Sequence, residues 1–127
     1  MRIVLDSPAF INSSLFEIKR KYYTVREVLD ELKDLRSKSL AETALISGKL
    51  VVREPEKNSV KRVLEKAKEI GSKEKLSETD IHVLALALDL SAMSLTDDFT
   101  VQNTAAHLGI KFSGVLRGEI KTKKLFS

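Results

Sequence analysis

The 127-residue sequence contains no cysteine and no tryptophan. A disulfide framework, a thiol nucleophile and a cysteine zinc site are thereby excluded, and a cytoplasmic home is the expectation. Long apolar runs are also missing. Ile3-Val4-Leu5, directly after Met1-Arg2, is far too short for a signal-peptide core or a membrane span, so no membrane association is expected. Glycine is sparse, five residues in all, and builds no phosphate-cradling loop. The two histidines form no Ser/His nucleophile pair of useful spacing. His82 reads as a helix-face residue, and His107 falls in the last turn of a helix, where it favours the dipole.

What is present is a core's worth of apolar residues, 43%, and 31% charged residues. That balance fits one compact domain with a heavily solvated surface. A net charge of +4 leans toward polyanionic partners. The excess sits at the C-terminal end, where Lys111, Arg117, Lys121, Lys123 and Lys124 face one acid, Glu119. Residues 1–113 are read as the domain and 114–127 as a basic tail, able to neutralise phosphates in a salt-sensitive, sequence-independent way. A merely solvated terminus is the plain alternative.

Along the chain, Ile3–Leu5 reads as a strand ending at Asp6, and Pro8 suits the start of a helix carrying Phe10, Ile11, Leu15 and Ile18. Thr24 is expected to open a second helix, with Val25, Val28, Leu29, Leu32 and Leu35 as its apolar stripe, and a short third helix spans Leu40–Ile46 before Gly48. Lys49–Arg53 is a strand. An amphipathic helix follows from Val60 to Ile70, and Ser77 starts a helix apolar on nearly every side, which predicts burial. Ala92–Leu95 is a third strand, Val101–Leu108 a last helix ended by Gly109, and Ile110–Phe112 a fourth strand. Strands alternating with helices predict an α/β fold of three layers, α-β-α, around a mainly parallel sheet of four or five strands. In such sheets ligands bind beyond the carboxyl ends of the strands.

Five acids stand out against that frame. Asp6 follows the first strand; its ordinary role is a helix N-cap, which Ser7 could also fill. Thr24-Val25-Arg26-Glu27 has the form of a capping box, which gives Glu27 a structural task, whereas Glu31 lies at the edge of the buried stripe and is better placed for a cleft. Ser77-Glu78-Thr79-Asp80 is a second capping-box pattern, so Asp80 has both a cap role and a cleft role open to it. Asp97-Asp98, after a strand, repel each other and call for a counter-charge unless fully hydrated. Carboxylates with retained waters suit Mg²⁺ or Mn²⁺. Such ions activate water and stabilise charge on a phosphodiester.

The order Asp6-Ser7, Glu31 within Val28–Leu32, Asp80 opening an Ala/Leu-rich helix, and Thr96-Asp97-Asp98 resembles the PIN-domain nucleases over nearly the whole chain. Three segments, Tyr23–Val28, Leu76–Ala87 and Leu95–Asn103, resemble more narrowly the Nob-type endonucleases, which mature the 3′ end of small-subunit ribosomal RNA in archaea and eukaryotes. The resemblance implies Mg²⁺- or Mn²⁺-dependent cleavage of single-stranded pre-ribosomal RNA, with pre-ribosomal particle proteins as further partners. It assigns catalysis to Asp6, Glu31, Asp80 and Asp98, metal binding to Asp6, Asp80, Asp97 and Asp98, and supporting hydroxyls to Ser7 and Thr96. Arg117, Lys121, Lys123 and Lys124 become the expected RNA-binding residues. Nob-type proteins carry a cysteine zinc ribbon after the nuclease domain, which a sequence without cysteine does not match. Two other readings stand beside this one. One is a VapC-like toxin ribonuclease held by an antitoxin; the other is a non-catalytic PIN-like RNA-binding module.

Overall fold

The computed structural model describes residues 1–11 and 21–114. Its elements run β1 (Ile3–Leu5), α1 (Ser7–Ile11), β2 (Tyr22–Thr24), α2 (Arg26–Asp30), α3 (Leu35–Ile46), β3 (Leu50–Val52), α4 (Lys57–Glu69), a 3₁₀ turn (Lys73–Lys75), α5 (Glu78–Leu90), β4 (Met93–Leu95), α6 (Phe99–His107) and β5 (Phe112–Ser113). All strand pairs are parallel, in the order β3-β2-β1-β4-β5. The expected three-layer α/β architecture is therefore the one observed, with five strands.

The layers follow from strand alternation. Successive side chains leave a strand on opposite faces. Val4 enters one core with Val25, Val28, Val63, the apolar residues of α5, Val101 and Ala105. Its neighbours Ile3 and Leu5 enter the other, with Phe10, Tyr22, Leu32, Ala41, Ala44, Leu50 and Leu95. Helices α4, α5 and α6 thus cover one face, and α1 with α3 the other. Buried from Val83 to Ala87 and at Thr79 and Ile81, α5 sits as deep as its all-round apolar sequence demands.

One expectation is overturned. Thr24 does not open a helix; it ends β2, a strand the sequence reading lacks, and its hydroxyl donates 2.8 Å to the Leu5 carbonyl in the neighbouring strand. The capping box expected at Thr24–Glu27 is consequently absent, and Val25 occupies the N-cap without a side-chain bond. The apolar stripe is cut into α2 and α3. Asp34 caps α3 by accepting from Ser37 N–H at 2.9 Å, so that helix begins earlier than Leu40. Its far end matches the reading: Gly48 takes φ +78, the left-handed turn glycine tolerates without steric cost. Leu15 and Ile18 of the expected first helix, and Arg117, Lys121, Lys123 and Lys124 of the basic tail, lie outside the described residues.

Candidate active site

The strand order places the site. From β1 the chain steps outward to β2 and β3, and only later returns to β4 and β5 on the other side. Between β1 and β4 the connections diverge, and sheets of this kind bind ligands beyond the carboxyl ends of the strands at such a point. Asp6 leaves β1 at this point, and Thr96-Asp97-Asp98 leave β4 beside it, the two strands being in register from Ile3–Met93 to Leu5–Leu95.

Each acid there has a local anchor. Asp6 is buried, and its Oδ1 accepts the Ala9 N–H at 2.8 Å at the start of α1. Asp80 and Ser77 close the capping box expected from sequence: Ser77 Oγ accepts the Asp80 N–H and Asp80 Oδ2 accepts the Ser77 N–H. Asp98 is the N-cap of α6, with Oδ1 accepting from Thr100 and Val101 N–H at 2.8 and 3.1 Å. These hydrogen bonds engage one oxygen of Asp80 and one of Asp98.

Glu31 comes in from α2, where it is the C-cap. Its two oxygens accept separately, Oε1 from the Ser7 hydroxyl and Oε2 from the Thr79 hydroxyl at 2.6 Å. Ser7 therefore supports Glu31 rather than capping α1. Thr96, fully buried, links the two strand ends: its hydroxyl bonds the Asp6 carboxylate and its Oγ1 accepts the Asp98 N–H at 3.1 Å. Gln102 Nε2 donates to the Thr96 carbonyl at 2.9 Å, fixing the turn that presents Asp97 and Asp98.

Electrostatics show that these acids form one constellation. Burial pushes Asp6 above the ordinary carboxylate range, the Thr96 hydroxyl and Ala9 N–H pull it partly back, and the charges of Asp80 and Asp97 push it up again. Burial likewise raises Asp80, against the Ser77 bonds, with Asp98 and Glu31 adding to the rise. Every acid singled out from the sequence is thus brought within reach of another. Ionised together, they create a local demand for positive charge. Their donor set is all oxygen, which fits a hard divalent cation.

A second group lies one helical turn away. Glu27 Oε2 contacts His82 Nδ1, and Glu78 joins them, with one ligand atom of each within 4.8 Å of the others. Among the described residues this is the tightest such cluster. It borders an open cleft of about 520 Å³ at the carboxyl ends of β2 and β3, with Arg26, Arg53 and Lys57 on its rim. Sequence reasoning missed this group, since Glu27 was assigned to a capping box that does not form and His82 to an idle helix face. It missed Thr79 as well. The spacing Thr79–His82 on one helix was the available signal, but the partners lie 48 and 55 residues away.

The family model described as the PIN domain of ribonuclease matches residues 3–90. The chain belongs to the PIN-domain ribonucleases. It is 43% identical over 124 residues to an endoribonuclease Nob1 of Pyrococcus abyssi, covering 98% of this chain and 74% of that protein. To the ribonuclease VapC3 of Aeropyrum pernix it is 39% identical, covering 91% of this chain and 84% of the relative. A solved PilT N-terminus domain protein of Sulfolobus solfataricus shares the fold, with a TM-score of 0.54 at 18% identity, covering 91% of this chain and 88% of its own. This PIN-domain protein is accordingly an endoribonuclease, and the reading of a non-catalytic module falls away.

Proposed function

We propose that the chain cleaves single-stranded RNA at the Asp6–Glu31–Asp80–Asp98 constellation with the help of Mg²⁺ or Mn²⁺, and that its substrate is precursor small-subunit ribosomal RNA, trimmed at the 3′ end in the cytoplasm. The observation carrying the chemistry is the convergence of carboxylates at the carboxyl ends of β1 and β4, where burial raises Asp6 and Asp80 and neighbouring carboxylates, Asp80 and Asp97 for the first and Asp98 and Glu31 for the second, add to the rise. Asp6, Asp80 and Asp98, with Asp97 beside them, would hold the cation. Bound there, a divalent ion supplies Lewis acidity and lowers the pKa of water. The capping bonds hold Asp80 and Asp98 in place, and Thr96 fixes the spacing of Asp6 and Asp98. Glu31, oriented through both oxygens by Ser7 and Thr79, is placed to orient or deprotonate the attacking water.

The substrate assignment rests on identity to Nob1 over nearly the whole chain. In this reading residues 1–113 form the nuclease domain. Residues 114–127, with Arg117, Lys121, Lys123 and Lys124, add phosphate contacts, and pre-ribosomal proteins are the partners. The likeness to VapC3 favours a second reading, the same chemistry on another cellular RNA with an antitoxin as partner.

Incubating the chain with short RNAs that span the mature small-subunit 3′ end separates these readings. Cutting at that junction with Mn²⁺ or Mg²⁺, and none with EDTA, is expected. Metal-dependent cutting that ignores the junction, together with co-purification of a small inhibitory protein, would move the assignment to the toxin class. Cutting undiminished by EDTA would remove the metal. Neutralising Lys121, Lys123 and Lys124 should reduce RNA affinity and flatten its dependence on salt; an identical salt slope would remove the tail from the interface.

A further inference from the structure

Phe99 is 77% exposed, immediately after Asp98 and at the first position of α6. It belongs to neither core, and it is the exposed aromatic among the described residues, Phe10 and Tyr22 being buried. Helix formation gives no reason for it. Asp98 supplies the cap, and first-turn positions favour acids or proline over a large aromatic. Its neighbours along α6 and on the turn before it, Asp97, Asp98, Gln102 and Asn103, are polar. The other strongly exposed apolar side chains on the helices, Leu35 and Ile46, belong to α3, on the opposite face of the sheet.

We propose that Phe99 is a stacking platform for a nucleobase of the RNA strand, seating the nucleotide beside the phosphate to be cleaved. The proposal rests on the acidic constellation being the cleavage site. An exposed ring flanked along its helix by polar groups suits a flat base with polar edges better than an apolar protein surface, and single-stranded RNA is the form whose bases are open to stacking. The ring is also held at a fixed place. Asp98 pins the first turn of α6 through two backbone N–H groups, and Thr96 pins Asp98. A base stacked on Phe99 is therefore registered against Asp98, and the strand cannot slide without losing the stack. This gives the site a device for choosing single strands over duplex that needs no sequence-specific hydrogen bond.

The test uses the full chain and a short single-stranded RNA, with Asp6→Asn to silence cleavage during binding measurements. Phe99→Ala should weaken binding about tenfold. Phe99→Leu should be as weak, since it keeps bulk but lacks a π face, whereas Phe99→Trp should retain affinity. Because the sequence has no other tryptophan, fluorescence of the Phe99→Trp chain should be quenched as RNA binds. RNAs carrying one abasic position should show a single sensitive position next to the cut, and the Phe99→Ala chain should lose nothing further there. In the cleavage-competent chain Phe99→Ala should raise KM with kcat little changed. Unchanged affinity in Phe99→Ala, full rescue by leucine, or loss of a dimer with RNA binding intact would overturn the proposal. Cleavage that still requires Asp6 and Asp98 in that event would leave the acidic site standing. Cleavage indifferent to those acids would instead overturn the site itself.

Discussion

Asp80 and Glu78 stand two residues apart at the start of α5, yet they face different company. Asp80 meets Asp6, Glu31 and Asp98, all carboxylates, backed only by hydroxyl and amide donors. Glu78 meets Glu27 and His82, so that an imidazole nitrogen stands among the carboxylates. The second group is the tighter of the two by distance. The first has the greater need for a cation, because burial and like charge act together on Asp6 and Asp80 and no basic side chain is among the causes acting on them. Proximity of ligand atoms and demand for a metal are separate properties. By uncompensated charge, though not by proximity, the Asp6–Asp80 group is the one that calls for a cation.

The sharpest way to break the comparison is to neutralise one member of each group. Asp98→Asn and Asp6→Asn should each lower the rate of RNA cleavage by about 10²- to 10⁴-fold, while Glu27→Gln and Glu78→Gln should leave it within a few-fold in a gel assay at saturating metal. Asparagine can still cap a helix, so the fold should survive in the first two, as circular dichroism can check. An equal loss from both groups would show that the site spans them.

A smaller effect is expected at Thr96, which touches Asp6 and Asp98 together. Thr96→Val removes the hydroxyl at nearly constant volume. Such outer partners of metal-binding groups are worth about 10- to 100-fold in metal affinity or activity, so the midpoint of a Mn²⁺ titration should rise accordingly. A midpoint that stays put would mean the turn is held by Gln102 alone.

The smallest effect concerns stability. Carboxylates whose pKa is raised on folding stabilise the folded state relative to neutral pH when protonated, and that contribution is lost as pH rises through the raised pKa. Metal-free protein at pH 7 therefore carries an electrostatic penalty at Asp6 and Asp80. Asp6→Asn should raise the metal-free Tm by about a few degrees at pH 7, with the gain shrinking as pH falls through the carboxylate range. Added Mg²⁺ or Mn²⁺ should stabilise the wild-type chain more than the variant. A gain that grows toward acid pH would contradict the sign of the Asp6 shift.

Much of this was legible in the sequence. Asp6 and Asp98 could be placed because a short β-type run ending in an acid puts that acid at the carboxyl edge of a parallel sheet. The Ser77–Asp80 capping box was legible because it is local, four residues closing on themselves. The same pattern misled at Thr24. A Thr-x-x-Glu spacing looks identical whether its threonine caps a helix or bonds across a sheet, and Tyr22–Thr24 is too short to show strand periodicity. Only pairing with β1 and β3 made those residues a strand, and Glu27, released from the box, turned to His82.

The sequence by itself determined which carboxylates follow strands, which helix must be buried and which residues can cap it, since these depend on spacing along the chain. Tertiary structure alone decided that Glu31 would rest on Ser7 and Thr79, that Thr96 would join Asp6 to Asp98, and that Glu78 and Asp80 would part company. Those contacts cross 24 to 48 residues for Glu31. Their energy arises only once the sheet has formed and burial has removed the water that would otherwise screen the charges.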